Sequence, residues 1–308
     1  MQSLAPRRLA SACRRSTTLP PTRRWHSSSP QSAPTQTPEP GPSRTTHFGY
    51  RTVPEESKES LVRGVFDSVA SNYDLMNDAM SMGVHRLWKD EFVGLLRPGS
   101  KGPVRCIDVA GGTGDIALRM LDHAREKYAD RETSVDVVDI NAEMLRAGYV
   151  RFKKTMYHDT SQIAFHEANA QDLGQERFLS NSYDLYTIAF GIRNVTNIRE
   201  ALAEAYRVLK PGGTFACLEF NKVTNPILAQ LYDQYSFSVI PMLGSILAGD
   251  RDSYQYLVES IRRFPSQWDF AKMIADAGFA TGEHHSGNGG AWRDLWGGIA
   301  CIHTGVKV

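Results

Sequence analysis

The chain has 308 residues, 41% hydrophobic and 10% aromatic, with 35 Lys+Arg against 34 Asp+Glu for a formal net charge of +1. That apolar content supports one large core or two modest ones. It excludes a disordered chain, a collagen-like repeat and a disulfide mini-domain. The near-neutral balance argues against a dedicated nucleic-acid binder, which carries a basic excess.

The charge is unevenly placed. Residues 1–38 hold no Asp or Glu but six arginines, Arg7, Arg8, Arg14, Arg15, Arg23 and Arg24, and removing those six from +1 leaves −5 for residues 39–308. Residues 16–46 are rich in Ser, Thr and Pro without apolar periodicity, which predicts disorder. An Arg- and Ser-rich, acid-free leader has the composition of an organelle transit peptide and lacks the apolar stretch of a secretory signal. An inside-negative membrane potential draws such a cationic segment inward. Removal near Trp25, just after Arg24, is expected; a generic basic tail is the plainer alternative. The predicted division is a leader and linker over 1–46 and one folded domain over 47–308.

From about Pro54 the texture changes. Glu55 to Met80 carries Leu61, Val62, Val65, Phe66, Val69 and Tyr73 at helical spacing, and a second helix is predicted from Val84 to Leu95, before Arg97-Pro98-Gly99. A regular alternation follows: strand 104–109, helix 116–128, strand 134–138, helix 142–154, strand 163–165, strand 183–190, helix 198–209, and strand 214–220 after the Pro211-Gly212-Gly213 turn. Strands alternating with helices of this length imply βαβ units and a mostly parallel sheet covered on both faces. Asn225 to Gln267 reads as a helical, aromatic-rich insertion, followed by a helix at Trp268 to Ala277 and a last apolar stretch, Gly298 to His303.

Cys13, Cys106, Cys217 and Cys301 are far apart and form no C-x-x-C pair; the nine histidines show no metal-binding spacing. Buried reduced thiols and no metal are expected. No run reaches 18 consecutive apolar residues, so no transmembrane helix is predicted.

Gly111-Gly112-Thr113-Gly114 follows the first strand of the alternation and opens a helix, where open parallel sheets bind their ligands. Glycines there admit close backbone approach, and the helix start offers unpaired N–H groups. Gly112 to Ala117 also fits G-x-G-x-x-A, so a dinucleotide and S-adenosylmethionine both remain open. Asp139, ending the second strand, suits the ribose hydroxyls of either. Three features favour S-adenosylmethionine: Asp108 just before the loop suits a cationic amino group, Asn169-Ala170-Gln171-Asp172 can border an adenine, and Arg207 to Gly213 resembles the turn before the fifth strand of its methyltransferases.

Tyr73 to Lys89 (YDLMNDAMSMGVHRLWK) and Arg207 to Phe220 (RVLKPGGTFACLEF) resemble the two signatures of the ubiquinone/menaquinone biosynthesis C-methyltransferases. Phe190 to Asn194 (FGIRN), Asp252 to Ile261 (DSYQYLVESI) and Gly297 to His303 (GGIACIH) match too, so the resemblance covers about 47–308. It implies a class I S-adenosylmethionine-dependent methyltransferase, Rossmann-like, with N-terminal helices and a helical lid at about 225–267. Cofactor contacts are implied at Thr113, Asp139, Asn169 and Ala170, to which the loop reading adds Asp108, Gly112 and Gly114. Bacterial relatives carry Ser where Ala189 stands, so one hydroxyl contact is missing or taken over by backbone.

The implied activity is C-methylation of a polyprenylated methoxy-benzoquinol in ubiquinone biosynthesis. The implied setting is mitochondrial, peripheral on the matrix side of the inner membrane. The implied partners are a multi-subunit ubiquinone-synthesis complex, with a homodimer left open. Another phenolic acceptor, a non-catalytic scaffold and a nicotinamide-dependent dehydrogenase are the alternatives. Carbon methylation needs an electron-rich ring, hence a base or a cation that stabilises phenolate. Arg193 is the first candidate, as a cation rather than a literal base; Asn194 is suited to orient the ring. Tyr73, Asp78 and His85 follow. Plain carboxylate pairing for Arg193 and helix capping or packing for His85 are the structural alternatives. Leu228, Leu231, Phe237, Val239, Ile240, Met242 and Leu243 are read as a lid or membrane-facing wall for the polyprenyl tail, against an ordinary core helix.

Overall fold

The computed structural model describes residues 44–69, 77–78, 81, 83–224, 226–239, 242, 251–282 and 291–308. The leader, Tyr73, Ile240 and Leu243 lie outside them.

The described chain opens with an antiparallel hairpin, β1 (Thr45–Phe48) and β2 (Arg51–Pro54), that runs into helix α1 (Glu55–Val69). Thr45 and Thr46 therefore belong to a strand, whereas their Ser/Thr/Pro-rich surroundings predict disorder. The strand is fixed by tertiary contact: Phe48 stacks on Tyr256 at 4.2 Å between ring centroids. Helix α2 (His85–Leu96) ends at Arg97, which takes a left-handed φ of 50° and returns its N–H to the Val93 carbonyl.

The alternating region then builds β3 (Arg105–Val109), α3 (Asp115–Tyr128), β4 (Ser134–Asp139), α4 (Ala142–Phe152), β5 (Ile163–Glu167), β6 (Tyr183–Ala189), α5 (Ile198–Val208) and β7 (Leu209–Phe220). The expected turn at Pro211-Gly212-Gly213 sits inside β7. Against β6, pairing passes from Tyr183–Leu209 directly to Leu185–Thr214, so Lys210 to Gly213 bulge out of the ladder. The chain closes with α6 (Pro226–Gln234) and its π-helical continuation Tyr235–Val239, α7 (Arg251–Arg263), α8 (Gln267–Asp276), β8 (Phe279–Ala280), β9 (Trp292–Leu295) and β10 (Ala300–Lys307).

Strand order is β5-β4-β3-β6-β7-β10-β8, with β9 on β10. The β3–β4, β4–β5, β3–β6 and β6–β7 pairs are parallel, and β10 runs antiparallel to β7. Period-two alternation divides the core between the two faces. Cys106, Val135, Val137, Leu185, Ala216 and Leu218 pack with α2, α3, α4 and α7; Ile107, Val138, Tyr186, Ile188, Phe215 and Cys217 pack with α5 and α8. Each buried Val, Leu, Ile or Phe among them contributes about 1.5–3 kcal/mol, which explains strands that read as nearly continuous apolar runs. Cys106, Cys217 and Cys301 are buried free thiols.

Candidate active site

The order of β3 and its neighbours places a cleft at the carboxyl ends of the parallel strands, on either side of β3. That is the switch point where chain direction across the sheet reverses and loops part. The cleft is lined by the 108–113 loop, Asp139 to Asn141 after β4, Ala168 to Gln171 after β5, and the 189–196 segment after β6. Thus Asp108, Gly112, Thr113, Asp139, Asn169 and Ala170 meet in one cavity, as expected of cofactor contacts. Gly114 differs. It is the N-cap of α3, over Phe152 and Phe165, and does not line the cleft. Its left-handed φ of 73° serves the turn into α3.

Asp108 is buried; its Oδ1 accepts from the Thr187 hydroxyl at 2.7 Å, and its Oδ2 has no partner among the described residues. Burial pushes its pKa up to about 7, against the Thr187 hydrogen bond. A Cβ on Gly111 would lie 2.8 Å from both the Asp108 carbonyl and Oδ2, so only glycine lets the loop close over this carboxylate. Asp139 accepts from the Gly112 N–H at 2.9 Å and the Asn141 N–H at 2.8 Å; burial raises its pKa to about 6 against those bonds. Asn141 in turn caps α4, accepting from the N–H groups of Glu143 and Met144.

A buried and a half-buried carboxylate held above their ordinary range, the buried one with an oxygen unpartnered among the described residues, suit a cation-bearing ligand with donor hydroxyls. A pyrophosphate at the same loop would meet Asp108 as a like charge, which disfavours the dinucleotide alternative. The residues present therefore fit S-adenosylmethionine: Asp108 for its amino group and Asp139 for its ribose.

Sequence reasoning missed the outer wall. Glu59, Val62, Arg63 and Phe66 of α1 line the cleft. The helix is pinned across it by Lys58 Nζ on the Val195 carbonyl at 2.9 Å, Arg63 on the Ile140 carbonyl at 3.4 Å and Asn141 Nδ2 on Asp67 at 2.8 Å. The helical spacing showed an apolar face but not its partner. Lys89 was missed as well. It lines the cleft and pairs with Asp115 at 2.8 Å, while Arg151 donates to Thr113 Oγ1 at 3.2 Å. Burial would raise the Asp115 carboxyl, but the Lys89 ammonium overcomes it and brings the pKa down to about 2.

The remaining candidates fall in different places. Asn194 lines the cleft and accepts from the Tyr256 hydroxyl at 3.0 Å. Arg193 is buried in an ion pair with Glu219 at 2.7 Å and is not a lining residue. His85 is buried at the start of α2, with Nδ1 2.9 Å from the Ser81 hydroxyl; burial and the Lys89 charge lower its pKa to about 4. It too lies off the cleft lining. Asp78 pairs with Arg86 at 2.8 Å. Ala189 does line the cleft, so no side-chain hydroxyl is offered at that position. In the insertion, α6 buries no residue, and Ile227 and Leu231 stand 75% and 60% exposed, so this segment is not an ordinary core helix. Among the described residues no His/Cys/Asp/Glu group is arranged to hold a metal ion, and no helix is long and apolar enough to cross a membrane.

This strand order, with a glycine loop after β3 and carboxylates at the ends of β3 and β4, defines a Rossmann-like S-adenosylmethionine-dependent methyltransferase. A solved S-adenosylmethionine-dependent methyltransferase from Thermotoga maritima shares the fold at a TM-score of 0.50 and 18% identity, covering 80% of this chain and 100% of that one. The sequence model of the ubiE/COQ5 methyltransferase family matches residues 54–307. The chain belongs to that family. It is 57% identical over 267 residues to the mitochondrial 2-methoxy-6-polyprenyl-1,4-benzoquinol methylase of Schizosaccharomyces pombe, covering 86% of this chain and 85% of that protein. It is 50% identical to the ubiquinone/menaquinone biosynthesis C-methyltransferase UbiE of Rhodopseudomonas palustris strain BisB5, covering 87% of this chain and 99% of that protein.

Proposed function

We propose that the protein methylates a ring carbon of a polyprenylated methoxy-benzoquinol in the mitochondrion, peripheral to the matrix face of the inner membrane. The cleft carries this reading: the carboxylates of Asp108 and Asp139, suited to a cationic cofactor, with Asn194 lining the same cleft. The names of the similar proteins point to the acceptor, and the arginine-rich leader supports mitochondrial import. When bound, S-adenosylmethionine supplies an electrophilic methyl group on sulfur. Asp108 takes the cofactor's amino group and Asp139 its ribose hydroxyls; Asn169 and Ala170 border the base, and Thr113 and Gly112 complete the loop side. Helix α1 forms the outer wall of this arrangement, and the cleft between it and the strand ends holds the reactants close together.

On the acceptor side, Asn194 orients the ring, and the Arg193 guanidinium favours phenolate, which makes the ring carbon nucleophilic. His85, neutral and off the cleft, holds the start of α2. Tyr73 remains an acceptor-side candidate. The exposed apolar side chains of α6 are assigned to the polyprenyl tail and the lipid surface, with a ubiquinone-synthesis complex as the larger partner.

The decisive assay incubates the protein with S-adenosylmethionine and a short-tailed methoxy-benzoquinol and identifies the product by mass and ring-proton spectra. A ring-methylated product is expected, and Arg193→Ala is expected to lower turnover while sparing cofactor affinity. Methylation on oxygen, or none with this acceptor but turnover of another phenol, would replace the substrate assignment. No turnover of any phenol, with ubiquinone synthesis sustained in cells by Asp139→Ala, would favour a scaffold.

A further inference from the structure

A second buried polar group lies behind the cofactor pocket. Glu219, near the end of β7 at the carboxyl edge of the sheet, is 0% exposed. Its Oε1 accepts from Arg193 Nη1 at 2.7 Å and from the Phe220 N–H at 2.9 Å, and its Oε2 accepts from the Arg193 backbone N–H at 3.4 Å. Nη1 also donates to the Phe190 carbonyl at 2.6 Å, and the guanidinium lies 5.6 Å from the Phe220 ring centroid. Apolar residues of matching volume commonly replace a buried ion pair at no loss of stability, so stability alone gives no reason for this one.

The bonds converge on the segment after β6. Phe190 sits at a left-handed φ of 54°, and Gly191 is so close to the glycine-loop side that a Cβ there would lie 2.5 Å from the Ala110 Cβ. Phe190, Gly191 and Asn194 line the cleft, and Glu219 holds the arginine between them. Two donors are left over: Arg193 Nε and Asn194 Nδ2 are buried without a partner among the described residues. Buried donors without acceptors, on a segment that walls a cleft, match a ligand that brings acceptor oxygens.

We propose that Glu219 is a positioning residue for methyl transfer. It holds Arg193 at Nη1 and at the backbone N–H, and so fixes the turn from which Nδ2–H of Asn194, on the cleft wall, is presented to a phenolic oxygen of the acceptor, with the Arg193 guanidinium directly behind it. This rests on the acceptor reading above. A carboxylate is needed because it fixes the planar guanidinium by a charge-assisted bond, which a neutral amide does only weakly.

The test compares Glu219→Gln, Glu219→Asp and the double variant Arg193→Met/Glu219→Leu in full-length protein. Glu219→Gln is expected to lower kcat by about tenfold to a hundredfold, the cost of misplacing a positioned group. Acceptor KM and cofactor Kd stay within about threefold, because ground-state binding is not what is lost. Glu219→Asp recovers part of kcat; the double variant melts as wild type does yet stays slow. In 15N spectra the Arg193 Nε–H, slow to exchange in wild type, exchanges fast in Glu219→Gln. Wild-type kcat in Glu219→Gln, or a double variant as active as wild type, would make the pair structural only and overturn the proposal. So would unchanged Nε–H exchange. If wild type methylates no benzoquinol while Glu219→Gln still frees the Nε–H, the acceptor reading fails and the holding of Arg193 stands.

Discussion

Asp108 and Asp139 are the residues on which pH acts most directly. Burial raises Asp139 to about 6 and Asp108 to about 7, and in the cofactor roles proposed for them both act best when ionised. Cofactor affinity is therefore expected to rise with pH through 6 and again through 7, as isothermal titration would record. Asp108→Asn should flatten the upper part of that rise and Asp139→Asn the lower part. Loss of the Asp139 side chain is expected to weaken binding by about 1.5–3 kcal/mol, the range for a hydrogen bond to a charged group. At Gly111 the constraint is steric. Alanine there places a methyl 2.8 Å from the Asp108 carbonyl, and overpacking against backbone costs about 1–3 kcal/mol. Gly111→Ala should lower Tm and cofactor affinity together; a variant with wild-type values of both would show that the loop yields without cost. The placement of these residues was legible in sequence because a glycine loop after a strand fixes its own geometry locally. The pairing of Arg193 with Glu219 was not, since 26 residues separate them and β6 and β7 bring them together.

At the level of elements, α1 and α6 are the parts whose surroundings matter most. Helix α1 is amphipathic like the other helices: Val62 packs with Phe48 and Tyr256, and bonds from Lys58, Arg63 and Asp67 tether the helix across the cleft. Burial lowers Lys58 to about 8, with Glu55 opposing. In the folded state the ammonium thus gives up its proton at lower pH than in the unfolded chain. Between about 8 and the ordinary 10.5 the unfolded chain binds more protons, so this group adds stability as pH rises. Lys58→Met is expected to lose that gain: the Tm difference between variant and wild type should change from pH 8 to 10.5 and stay flat from 6 to 7.5. Helix α6 shows the opposite case, an apolar face left in solvent. Ile227→Asp/Leu231→Asp is expected to reduce flotation with inner-membrane-like vesicles several-fold while leaving cofactor affinity unchanged, because burying apolar side chains in lipid contributes most of such attachment. Flotation equal to wild type would assign that face to something other than lipid. Its composition announced an apolar segment; only the fold showed which side chains are left outside.

For the whole molecule, the division of charge is the feature with consequences. The six leader arginines mask a body of net −5, so a chain lacking residues 1–38 should migrate as an acidic protein and bind cofactor as the full chain does. It should fail to enter isolated, energised mitochondria. Import of the shortened chain would place the targeting signal elsewhere. With an acidic body, electrostatic attraction to anionic lipid is weak, so the membrane contact proposed above has to rest on apolar surface.

The sequence by itself determined the parts that depend on neighbours along the chain: the helices and parallel strands, whose periodicity is written in consecutive residues, the glycine loop, and the carboxylates that end β3 and β4. It also carried the family resemblance, since both signatures are contiguous. Tertiary structure decided what depends on distance in space. Thr45 and Thr46 became a strand because Phe48 docks on Tyr256, and α1 became the wall of the pocket. Gly114 turned away from the cleft, and Arg193 was drawn into a buried pair. The reason is the same throughout. Local pattern fixes an element and the side it buries, whereas burial, pKa and access are properties of what packs against it, and that partner is set by the topology of the sheet.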